Sequence, residues 1–108
     1  MIRKRKKKSK IYFGTPVHDA IVEYNRSEDI QFRHKIYTEE IHAAFLKLAE
    51  NIINTYKFSY FDYPFKDLQH EVVSNLVINM HKFDETKGSK AFSYFSVVAK
   101  NYLILNNN

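Results

Sequence analysis

A chain of 108 residues with only two glycines and two prolines has few places to turn sharply, and that shortage decides most of what it can fold into. Sandwiches and barrels of short strands need turn residues every few positions. Long helices with few connections remain, and the apolar residues agree, because four segments repeat them at helical spacing. Thr15-Pro16 reads as an N-cap followed by proline at the first helical position. Val17, Ala20, Ile21 and Tyr24 then form a stripe that ends near Asn25 to Ser27. Residues 26–37 are polar and show no clear period. Thr38 reads as the next cap, with Glu39 and Glu40 in the first turn. A stripe of Ile41, Ala44, Phe45, Leu48, Ala49 and Ile52 follows, to about Tyr56. Residues 57–65 place five aromatics in nine positions around Pro64, a connector expected to lid the core between two helices.

The third helix is expected from about Lys66 to Lys82, with Leu68, Val72, Leu76 and Met80 every four residues and Val73 and Val77 beside them. Residues 83–88 break the period, and Gly88 is the residue there that takes positive φ freely. A fourth helix starts near Lys90 and aligns Phe92, Phe95, Ala99, Tyr102 and Leu103. The fold class is therefore all-α: a small helical bundle of about four helices with a disordered basic N-terminal arm. Residues 1–10 are the arm and 11–108 the helical domain, a length suited to one modest core.

Charge separates these two parts. Of 17 lysines and arginines, seven fall in the first ten residues: Arg3, Lys4, Arg5, Lys6, Lys7, Lys8 and Lys10. The rest of the chain holds ten basic groups against twelve acidic ones, so the high pI belongs to the arm. Such a run repels itself and does not fold alone. Beside a polyanion it releases counterions, giving salt-sensitive, sequence-independent contacts to phosphates.

The inventory for chemistry is thin. There is no cysteine, which removes disulfides, thiol catalysis and cysteine-ligated zinc. The five histidines, His18, His34, His42, His70 and His81, read as surface residues. None pairs at i, i+4 around a glutamate, and His70 and His81 are three turns apart on one predicted helix. Two lone glycines make no phosphate cradle. Asp84 and Glu85 sit in a turn, where carboxylates cap the next helix or stay solvated. A non-enzymatic binding protein with no metal and no cofactor is expected. No apolar run suits a membrane span and the N-terminus lacks a signal peptide, so the cytoplasm is the expected compartment.

The stretch Phe65–Ile104 carries a pattern: Asp67-Leu68 opening a helix, then Glu71, then Lys82-Phe83-Asp84 with Lys87-Gly88 in the turn, then Phe92-Ser93-Tyr94-Phe95 opening the next helix. This order and spacing resembles region 2 of sigma-70-type bacterial transcription factors. With Phe83-Asp84-Glu85-Thr86-Lys87 in the turn, it is most similar to the late-transcription sigma factors of T-even-type bacteriophages. Upstream, Leu48–Tyr56 resembles the preceding helix, and Ile11–Asn25 echoes the divergent first helix of those phage proteins. Together these cover roughly residues 11–104.

The resemblance implies two surfaces. The helix from Asp67 would dock on the coiled coil of the largest subunit of bacterial core RNA polymerase. That coiled coil is arginine-rich in the family, so carboxylates here would make charge-assisted bonds and steer encounter. Asp67, His70, Glu71 and Val73 match the docking positions. The turn and following helix would hold promoter DNA at a minus-ten-like element and open it. An extruded base would stack on Phe95, Tyr94 is the ring expected to be exposed and Phe92 the one expected in the core. Lys87, Lys90, Lys100 and Asn101 complete the DNA-binding set. The family's two strand-opening tryptophans are replaced by Val98 and Ala99, and one extra residue separates Gly88 from Phe92. Both departures imply weaker opening, or help from a phage coactivator. The compartment would be the host bacterial cytoplasm if the chain is phage-encoded. Two alternatives are a generic helical nucleic-acid-binding protein that uses the basic arm, and a helical protein–protein adaptor.

Overall fold

The computed structural model describes residues 12–55 and 64–106. The basic arm, the end of the second expected helix at Tyr56 and most of the aromatic connector lie outside the described residues. Among those described there is no strand, and the all-α bundle is what the turn shortage requires.

Helix α1 spans Thr15–Arg26 and buries Ala20 and Ile21. Its N-cap is Gly14, in extended conformation, so Thr15 lies inside the first turn and does not cap it. Pro16 still fits there, because its missing N–H would have had no intrahelical partner.

The next segment departs from the expected pattern. Helix α2 covers Ile30–Ile36, within the stretch that showed no period, and Asp29 caps it by accepting from the backbone N–H groups of Gln31 and Phe32. It runs without a break into a π-helical turn, Tyr37–Ile41, and then into α3, His42–Thr55. Thr38 is therefore no cap: Ile36, Tyr37 and His42 all hold helical backbone angles, whereas a capping residue is extended. The π turn spreads its hydrogen bond over five residues, from the His42 N–H to the Tyr37 carbonyl. Residues i and i+5 are then neighbours, and the Tyr37 hydroxyl bonds His42 Nδ1 at 2.8 Å. The inserted residue brings Ile36 and Ile41 into the core along with Ala44, Phe45, Leu48, Ala49 and Ile53.

Helix α4 covers Phe65–Ile78 and turns Leu68, Val72, Val73 and Leu76 inward. It stops short of the expected Lys82, giving way to a 3-10 turn at Met80–Lys82 that carries His81 off the helix. A second 3-10 turn, Glu85–Lys87, ends at Gly88 with φ +87°, the left-handed conformation anticipated there. Helix α5, Ala91–Asn106, runs antiparallel to α4: Phe83 meets Phe95 at 5.8 Å between ring centres, while Tyr102 bonds Glu71.

The core is apolar throughout, with no buried polar residue among those described. Phe45 is its hub, stacked near Phe13 at 6.1 Å and tilted against Phe95 at 5.2 Å. Fully burying one such ring is worth about 1.5–3 kcal/mol.

Candidate polymerase and nucleic-acid surfaces

On α4, helical spacing sorts the residues cleanly. Asp67, His70, Glu71, Ser74 and Ile78 fall at i, i+3, i+4, i+7 and i+11, and all five are exposed, Ile78 at 67%. Two of the four positions matched to polymerase docking are carboxylates on this outward face and a third is His70. The fourth, Val73, is only 5% exposed and belongs to the core. The correction follows from geometry, because six positions after Asp67 the helix has turned to its opposite flank. Ser74 and Ile78, which extend the face, were not picked out from sequence, though continuing the i, i+3, i+4 series would have found them.

The face is braced from behind. Gln69 Nε2 donates to the Leu46 carbonyl at 2.8 Å, tying α4 to α3. The Tyr102 hydroxyl donates to Glu71 Oε1 at 3.0 Å, which orients that carboxylate. A shallow groove between α4 and α5 is lined by His70, Glu71, Ser74, Asn75, Ile78 and Tyr102. A second groove, on the other flank of the same ridge, includes His42, Val77 and Tyr37. Burial, and to a lesser degree the nearby Tyr24, pushes the Tyr37 hydroxyl up to about 12. The neutral hydroxyl is the form that shares the 2.8 Å hydrogen bond with His42 Nδ1.

The turn that leads into α5 is held by α1. Asn25 Nδ2 donates to the Met80 carbonyl at 2.9 Å. The Arg26 guanidinium meets the Glu85 carboxylate at 2.8 Å, and His18 Nδ1 accepts from the Ala91 N–H at 3.1 Å. Asp84 accepts from the Thr86 hydroxyl at 2.6 Å and from its backbone N–H at 2.9 Å. Those two bonds, the hydroxyl's first, hold the Asp84 carboxyl below its ordinary range, with a smaller contribution from Lys87. Its own backbone N–H, followed by the Arg26 side chain, lowers Glu85 in the same direction. Histidine as a surface residue describes His34, His70 and His81, which are exposed, but not His18 and His42, which are half-buried and partnered.

The DNA-binding set is rearranged most. Phe95, expected to stack on a base, is fully buried, whereas Phe92, expected in the core, is 42% exposed. The reason is register: the buried residues Ala91, Phe95, Ala99 and Leu103 repeat every four positions, so Phe92 sits one step, about 100°, round the helix. Tyr94, the ring expected to be exposed, is half-buried against Phe83 at 5.4 Å. Lys87, Lys90 and Asn101 are exposed and Lys100 is half-buried. These residues do not form one patch on α5, since Lys100 points about 120° away from Tyr94 and lies about 14 Å along the axis from the helix start. What lies near that start is a cleft of about 350 Å³, lined in part by Phe13, Thr15, His18, Lys90 and Phe92.

Among the described residues there is no cluster of three or more metal-ligating side chains. Nor is any helix among them long and apolar enough to cross a membrane. Comparison with protein-family models, with curated proteins and with solved structures yields no match.

Proposed function

We propose that this chain is a sigma-type transcription initiation factor of the phage late class. It docks on bacterial core RNA polymerase through the outward face of α4 and engages promoter DNA at the start of α5, and it is not itself an enzyme. The observation that carries the reading is the pairing of Asp67 and Glu71 on one exposed helical face, one turn apart, in the sequence context that resembles the docking helix of that family. Two carboxylates at i, i+4 match two basic groups on a partner helix, and the gain is in encounter rate and register more than in raw affinity. Lys87 and Lys90, exposed in and after the turn, supply phosphate contacts that position DNA without reading its sequence. The arm, Arg3 to Lys10, adds salt-sensitive affinity. The replacement of the strand-opening tryptophans by Val98 and Ala99 favours dependence on a phage coactivator, and the site of action is the host bacterial cytoplasm.

The test is capture of core polymerase by the tagged chain, followed by transcription from A·T-rich promoters. Retention of polymerase and promoter-dependent transcripts are expected; failure to retain polymerase overturns the reading. A second reading, a helical nucleic-acid-binding protein that acts without polymerase, is favoured by the exposed Phe92 beside a cleft. It predicts strand binding with no polymerase capture.

A further inference from the structure

We infer that the groove between α1 and the α2–α3 junction is the docking site of this chain's own basic arm, which it holds until a denser polyanion takes the arm away. The inference goes beyond the function proposed above and uses neither the α4 face nor the start of α5.

The groove encloses about 360 Å³. Its apolar lining consists of Ala20 and Ile36, both buried, and Phe32, which stays 39% exposed. Its rim is acidic. Asp19 and Glu23 stand one turn apart on α1, and Glu39 and Glu40 line it from the π turn. All four are exposed, and none takes part in the ion pairs of the described residues, Arg26–Glu85 and Lys47–Glu50. Lys35 is the one cation among the lining residues. Like charges at i, i+4 on a helix repel one another, and a single lysine does not balance four carboxylates. The grooves beside α4 differ: one holds Glu71 alone and the other no carboxylate. The cleft at the start of α5 holds none either.

Such a lining fits a basic peptide segment. Carboxylates take ammonium and guanidinium groups in charge-assisted bonds. An exposed phenylalanine face takes a guanidinium or the aliphatic stem of a lysine. The arm has that chemistry, with seven cations in ten residues, two of them guanidiniums. Its reach is sufficient. Tyr12 is the first described residue, and Arg3 lies nine positions before it, about 30 Å of extended chain. Rounding the end of α1, a helix about 10 Å across, and following it from Pro16 to Glu23, about 10 Å more, takes less than that. A short tether gives an effective concentration in the millimolar range, so modest attraction suffices. Docking in cis masks the arm, because cations seated on the groove are withheld from phosphates. Duplex DNA presents about one charge per 1.7 Å, a denser array than the groove, and displaces it.

The test is zero-length carbodiimide cross-linking of the full chain, in dilute solution at low ionic strength with no nucleic acid or polymerase present. Peptide mapping of the monomer is expected to join arm lysines to Asp19, Glu23, Glu39 and Glu40 in preference to the exposed Glu28, Asp67 and Glu71. Heparin or high salt should abolish those joints. The double variant Glu23→Gln, Glu39→Gln should bind heparin several-fold more tightly than Glu28→Gln, Glu50→Gln, which removes as many charges away from the groove, with equal circular dichroism for the two. Arm joints spread evenly over the exposed carboxylates, joints confined to a cross-linked dimer, or equal heparin affinity of the two double variants would each overturn the inference. A dimer-only result would give the groove to the arm of a second copy. Failure here leaves polymerase docking and DNA engagement standing, and loss of polymerase capture leaves the groove standing.

Discussion

Phe92 and Phe95 are three positions apart on α5 and have opposite fates, and the difference is measurable. Phe95 is enclosed by Phe45, Phe83 and Tyr94. Phe95→Ala should therefore cost about 3–5 kcal/mol, a large part of the stability of a domain this size. Phe92→Ala, with much of the ring already in water, should cost under about 1.5 kcal/mol. Urea unfolding of both variants checks the ranking, and equal losses would contradict the register of α5. Tyr37 makes a second prediction at this scale. With its hydroxyl pushed up to about 12, the neutral form is the one the folded state favours. The stability it contributes is complete below the ordinary tyrosine pKa and is lost as pH rises through 12. Ultraviolet titration should show one of the eight tyrosines ionising after the others, and Tyr37→Phe should abolish that late step.

At the scale of elements, the connection from α4 to α5 depends on Gly88 and on carboxylates. A Cβ at Gly88 would meet no atom within 4 Å, so the cost of Gly88→Ala is backbone strain alone at φ +87°, about 1 kcal/mol. Gly88→Asn should cost less and Gly88→Val more, read as thermal midpoints. Asp84 and Glu85 are both lowered from their ordinary values. They contribute stability above the normal carboxylate range and lose it as pH falls through their depressed folded values. The thermal midpoint of the wild type should therefore fall on acidification below about pH 4, and the double variant Asp84→Asn, Glu85→Gln should fall less steeply. An equal slope would show that the turn gains nothing from these charges.

The same elements show what was legible in the sequence. Helices α1, α3, α4 and α5 were legible because each carries apolar residues at helical spacing, though the buried set of α5 was not, and Gly88 because one residue type fits its conformation. Helix α2 was not, since its seven residues bury only Ile36 and a single buried position has no period. The π turn hid the continuity of α2 and α3: Ile41 lies five positions after Ile36, a spacing that neither a helix nor a strand template contains. On α5 so many positions are apolar that several stripes fit, and packing against α3 and α4 chose among them. That choice exchanged Phe92 and Phe95, and with them the candidate stacking ring. Val73 was misplaced for a related reason: matching a motif by position carries no information on which side of the helix a residue falls.

For the molecule as a whole, the proposed function divides between two surfaces that share one core. The outward ridge of α4 carries Asp67, His70 and Glu71. The start of α5 carries Lys90 and Phe92, both exposed. Through Asn25, Arg26 and His18, α1 ties down the α4–α5 turn that joins the two surfaces. The proposed polymerase docking depends on the carboxylate ridge. Asp67→Lys with Glu71→Lys reverses its charge, removes an exposed bond from Tyr102 and replaces the first-turn acid of α4, so the fold should persist, at a cost of about 1–2 kcal/mol. The decisive measurement is binding of the wild-type chain and this double variant to bacterial core RNA polymerase, with circular dichroism confirming equal helix content. The wild type is expected to bind and the variant to lose at least tenfold in affinity; equal binding by the two, or no binding by the wild type, would contradict the proposed docking.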